Sequence, residues 1–131
     1  MGRSSKRIFI LTVYQVPQKT GSSGSTTAYT QQSNMFRLEG RQNPNPRKIL
    51  IDDLRQLASE IRRDGHDMIL MGDFNEDIGL DHHGMASVIT AGGLVDSYRT
   101  CHGLQNEPST YARGKSELTI SSSQNVLLPS L

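Results

Sequence analysis

A chain of 131 residues can hold one ordinary domain and bury a real core. Its 34% hydrophobic and 21% charged residues, with no apolar run of bilayer length, point to a soluble protein rather than a membrane one. The net charge of +1 argues neither for nor against nucleic acid, whereas a single cysteine, Cys101, excludes an intrachain disulfide and a thiolate zinc site and fits a reducing compartment.

The first element in chain order is a strand over Ile8 to Val16, rich in β-branched and aromatic residues on both alternating faces and therefore expected to be covered on both sides. Its basic start resembles a secretion signal, but Thr12, Tyr14 and Gln15 interrupt the apolar stretch and no small-residue cleavage site follows. Lys6 likewise stands where a myristoylation motif asks for Ser or Thr. The expected location is intracellular, nuclear or cytoplasmic. Gln18 to Thr27 reads as a loop, and Thr26 or Thr27 as the cap of a short helix ending at Phe36 or Leu38, with Ala28, Gln32 and Met35 along one face.

Asn45 and Pro46 then predict a helix start, with Asn as cap and Pro at the first helical position. Leu50, Leu54, Leu57 and Ile61 supply an apolar stripe for the core, and Arg62, Arg63 and Gly65 supply a helix end. A strand over Met68 to Met71 follows at once. Beyond it, Asp81 to Ala91 predicts a short helix closed by Gly92 and Gly93, Leu94 and Val95 re-enter the core, and Cys101 to Asn106 reads as loop. Strands alternating with helices give an α/β or α+β class.

The segment from Asp67 to Asp77 carries the chemistry, because an apolar run ends at Gly72 and immediately presents Asp73 and Asn75. Gly72 allows close approach of a ligand, and two residues two apart point the same way if the extended conformation persists, with Phe74 on the opposite face. Asp offers hard anionic oxygen to a divalent cation, and Asn offers a neutral oxygen and two N–H donors. The plainer alternative is a simple turn after a buried strand, since Gly, Asp and Asn favour turns. A calcium loop fails, because Ile78 replaces the turn glycine and Gly84 the terminal bidentate Glu.

Four stretches taken in order resemble the endonuclease/exonuclease/phosphatase superfamily, which includes abasic-site endonucleases, DNase I and the endonucleases of non-LTR retroelements. They are Ile10-Leu11-Thr12-Val13-Tyr14-Gln15-Val16-Pro17, then Pro44-Asn45-Pro46-Arg47 with its helix, then Met71-Gly72-Asp73-Phe74-Asn75, and finally Leu94-Val95-Asp96-Ser97-Tyr98 with Pro108-Ser109-Thr110-Tyr111. The resemblance covers about Ile8 to Arg113. It implies a partial four-layer DNase I-like sandwich, a β-sheet core flanked by helices, and Mg²⁺- or Mn²⁺-dependent hydrolysis of phosphate esters. It also implies Asp73, Asn75 and Tyr14 as catalytic residues, with Asp73 and Asn75 as metal ligands and nucleic acid, DNA favoured, as partner.

Counterparts of the family's upstream metal-binding Glu and closing Asp-His pair are not found in this sequence. The expectation is therefore a fragment, weakly active or inactive alone, with a partial domain over residues 1–115 and a divergent, poorly ordered tail over 116–131. The alternatives are a non-catalytic nucleic-acid-binding or scaffold protein derived from this fold, and an interrupted copy of an element-encoded endonuclease. Charge segregation bears on the partner: through Lys48 there are eight Lys/Arg against one acid, and from Ile49 onward six against twelve. Asp81-His82-His83 reads as a solvated loop rather than a ligand cluster, and His66, at a helix end, as structural.

Overall fold

The computed structural model describes residues 5–17, 27–76, 81–102 and 124–129. Among these residues four helices and four strands follow in the order β1 (Ile8–Tyr14), α1 (Ala28–Leu38), α2 (Pro46–Arg63), β2 (Asp67–Asp73), α3 (Met85–Gly92), β3 (Leu94–Asp96), α4 (Ser97–His102) and β4 (Gln124–Pro129). The strands form one sheet in the order β1-β2-β4-β3. β1 runs parallel to β2 over all seven residues, whereas β4 pairs antiparallel with both β2 and β3. The class is mixed α/β, as expected. The loop residues 18–26, the Pro108 to Tyr111 stretch and the tail up to Ser123 lie outside the described residues, while 124–129, inside the expected tail, form β4 in the sheet interior.

Local sequence explains the helix boundaries. The side chain of Thr27 accepts from the Thr30 amide at 3.3 Å, and that of Asn45 accepts from the Lys48 amide at 3.2 Å, each satisfying one amide the first turn leaves open. Pro46, which has no amide to lose, starts α2. The helix closes with Gly65 at φ +76°, its amide on the Arg62 carbonyl and that of His66 on the Ile61 carbonyl. α3 starts at Met85, later than expected, because Asp81 is engaged in a turn in which its Oδ1 accepts from the His83 amide at 2.8 Å. Cys101, expected in a loop, lies in α4.

One continuous core joins Ile51, Leu54, Ala58 and Ile61 of α2 to Met68, Leu70 and Phe74 around β2, Met85 and Val88 of α3, and Leu94. The buried stripe of α2 is thus rotated from the one expected: Leu54 and Ile61 belong to it, Leu50 packs at its margin, and Leu57 is exposed. The small Ala58 replaces Leu57 in the seam, where α2 meets the end of α3 at Gly92. In α1 the face differs too, since Ser33 is buried and Met35 is exposed.

The two faces of the sheet differ. Paired residues of neighbouring strands share a face and successive residues alternate. Met68 and Leu70, with their β1 partners Phe9 and Leu11, face α2 and α3. Ile8, Ile10, Thr12 and Tyr14 turn the other way, alongside Asp67, Ile69, Met71 and Asp73. Ile8 is 63% exposed and Ile10 66%, so β1 is not covered on both faces as expected: among the described residues the core lies on one side of the sheet only.

Candidate active site

β1 and β2 end together. Tyr14 and Asp73 are the last register partners of the parallel ladder, so they share the open face at the tip of the sheet, and Tyr14 is 57% exposed there. The residue before Asp73 has to be glycine. Gly72 adopts φ +145°, and a β-carbon at this position would run into the Val13 carbonyl oxygen on the neighbouring strand.

Beyond Asp73 the extended conformation does not persist, which corrects the geometry expected for the pair. Phe74 drops into the core, as expected, and Asn75 takes φ +45°. Asn tolerates this left-handed region better than most residues because its short polar side chain bonds locally. A turn links the two residues instead: the Asn75 backbone amide donates to Asp73 Oδ1 at 3.1 Å, while the Asn75 side chain donates from Nδ2 to the Gln15 carbonyl at 2.7 Å. The Gln15 amide donates in turn to the Asp73 carbonyl at 2.8 Å, lacing the two strand exits together. Tyr14 and Asp73, about sixty residues apart in the chain, therefore end their strands opposite each other, and Asn75 is bonded to both strand exits.

Beneath these exits lies an ion pair that the sequence did not single out. Arg47 Nη2 donates to Glu76 Oε2 at 3.1 Å, with the two side chains only 12% and 10% exposed. Arg47 also donates from Nη1 to the Val16 carbonyl at 2.6 Å and from Nη2 to the Asn75 carbonyl at 3.2 Å. The other Glu76 oxygen, Oε1, accepts from the Met85 amide at the start of α3, where Gly84 has no side chain to cap the helix. The only hint in the sequence was a cation in the first turn of α2, where the helix dipole disfavours it.

No family model, curated protein or solved structure matches this chain.

What the arrangement can do follows from which groups remain uncommitted. Arg47 and Glu76 neutralise each other, so Asp73 is the carboxylate without a cation partner at this tip among the described residues. One Asp73 oxygen accepts in the turn and one Asn75 carboxamide N–H donates to Gln15, which leaves, among the described residues, the second Asp73 oxygen and the Asn75 carboxamide oxygen as acceptors and the other carboxamide N–H as a donor. Two oxygens suit a Mg²⁺ ion, which keeps several waters and takes one or two protein carboxylates besides substrate phosphate. Among the described residues no group of three or more His, Cys, Asp or Glu side chains is poised for a metal. His82 and His83 are exposed, consistent with a solvated loop, and His66 stacks against Phe9 with ring centroids 5.7 Å apart. Among the described residues no helix is long and apolar enough to cross a membrane.

Proposed function

We propose that the chain carries part of an endonuclease/exonuclease/phosphatase-type domain that hydrolyses phosphate esters in nucleic acid, with DNA the favoured substrate. The observation that carries this reading is that Tyr14 and Asp73 end β1 and β2 as register partners, with Asn75 bonded to both strand exits. The four motif stretches that resemble the superfamily supply the chemistry, and the four-layer DNase I-like sandwich is part of the same proposal.

In this reading Asp73 orients or deprotonates the attacking water, Asn75 positions the water or a phosphate oxygen through its carboxamide, and the Tyr14 hydroxyl donates to the phosphate. Asp73 and Asn75 would hold Mg²⁺ or Mn²⁺, which when bound polarises the ester and neutralises developing charge. Since Asp73 is the one such carboxylate brought to the tip among the described residues, turnover is low: each missing electrostatic partner costs on the order of a hundredfold. The test is cleavage of plasmid and of abasic-site duplex with Mg²⁺ or Mn²⁺, comparing wild type with Asp73→Ala. Slow cleavage lost in the variant supports the reading, and identical rates overturn it.

A second reading is a non-catalytic nucleic-acid-binding or scaffold protein on the same fold segment. It is favoured by the use of the Asn75 amide and one of its carboxamide N–H groups to hold the strand exits together, and by the basic character through Lys48. It requires salt-dependent DNA binding without divalent cation, unchanged by Asp73→Ala.

A further inference from the structure

We propose that Arg47 is a positioning residue for the site, setting the backbone of Asn75 and thereby the Asp73–Asn75 pair. The inference rests on the reading of Asn75 as part of a phosphate-ester site. One guanidinium meets the Val16 carbonyl, the Asn75 carbonyl and Glu76 Oε2 at 2.6, 3.2 and 3.1 Å. Val16 lies two residues beyond Tyr14 and Asn75 two residues beyond Asp73, so this single side chain ties down both strand exits that carry the candidate catalytic groups. These carbonyls fall just past the end of the ladder, where among the described residues they have no strand partner, and a buried carbonyl needs a donor.

The placement of Arg47 is not explained by the helix it belongs to. A cation in the first turn of α2 opposes the helix dipole, and a nearly buried ion pair is weak evidence for stability. A planar fork of donors, by contrast, is the group able to reach two carbonyls and a carboxylate at once, and a lysine ammonium on a flexible stem is not. Asn75 also sits at φ +45°, a left-handed angle that asparagine tolerates, so the contacts on its backbone and side chain decide which way its carboxamide points. The Arg47 bond to its carbonyl and the Asn75 carboxamide bond to Gln15 are those contacts.

The experiment compares Arg47→Lys with Glu76→Gln, because Arg47→Ala would leave Glu76 buried without a partner and risks unfolding the chain. Arg47→Lys keeps the charge and loses the fork. Glu76→Gln loses the ion pair and keeps the fork on both carbonyls. NMR hydrogen exchange of the Asn75 carboxamide reads positioning, thermal melts read stability, and Asp73-dependent hydrolysis, where wild type shows it, reads the consequence. Arg47→Lys is expected to speed Asn75 carboxamide exchange at least tenfold within a folded chain and to lower kcat about a hundredfold with little change in KM, the size of loss that a small misplacement produces. Glu76→Gln is expected to lower the melting temperature and leave Asn75 exchange unchanged. Equal effects of the two variants on Asn75, or none from Arg47→Lys, would overturn the proposal. If Arg47→Lys does not fold, Glu76→Gln decides alone: loss of Asn75 protection there makes Arg47 a stability element only. Absence of Asp73-dependent hydrolysis in wild type counts against the phosphate-ester reading, and the exchange measurements still decide on Arg47.

Discussion

Gly72 and Asn75 flank Asp73 and Phe74 with backbone angles that most side chains avoid, and each makes a separable prediction. Gly72→Ala combines positive-φ strain, typically about 1–3 kcal/mol, with overlap against Val13, so it is expected to cost more than about 3 kcal/mol and to part β1 from β2 at the tip. Urea unfolding measures the loss. At Asn75, glycine keeps the left-handed angle and forfeits one hydrogen bond, for about 1 kcal/mol. Alanine forfeits the bond and adds about 1 kcal/mol or more of strain. Equal stability of Asn75→Gly and Asn75→Ala would mean that position 75 does not hold a left-handed angle in solution. Asp73, Phe74 and Asn75 were legible as a unit because strand period and turn preference act on adjacent letters. Arg47 was not, since two of its three partners are carbonyls, and a backbone carbonyl looks the same under any side chain.

At the scale of elements, the starts and stops were the most readable, because a cap acts within a few residues. Thr27, Asn45, Pro46 and Gly65 are where local hydrogen bonding asks for them. Which face a helix buries was less readable. The choice between Leu57 and Ala58 is made by α3 crossing α2, and that crossing is not written in α2. The capping of α3 was unreadable for a similar reason, as its start is served by Glu76, nine residues upstream, through the same carboxylate that holds Arg47. Glu76→Ala should therefore cost about 3–5 kcal/mol, the usual penalty for leaving a buried charge unpaired. Asn45→Ala, which removes only a cap, should cost about 1 kcal/mol. Chemical denaturation of both variants checks the order, and a Glu76→Ala no worse than Asn45→Ala would mean that the pair is solvated.

For the molecule as a whole, the open face of the sheet sets behaviour in solution. Ile8 and Ile10 stand exposed on β1, which among the described residues is also an edge strand with unpaired backbone groups, a combination that promotes association through edge pairing. The double variant Ile8→Lys and Ile10→Lys is expected to delay heat-induced light scattering while shifting stability by less than about 1 kcal/mol, as substitutions at exposed positions usually do. Scattering that persists unchanged would place the sticky surface elsewhere. The order of strands also dictates a timetable. β4, the last of the described strands, is the one that joins β2 to β3. At synthesis rates of roughly 5–20 residues per second, β2 waits about 3–10 s after it is made before its second neighbour exists. During that interval the nascent chain carries β2 bare on the side that β4 will fill, a row of backbone groups open to pairing with another chain.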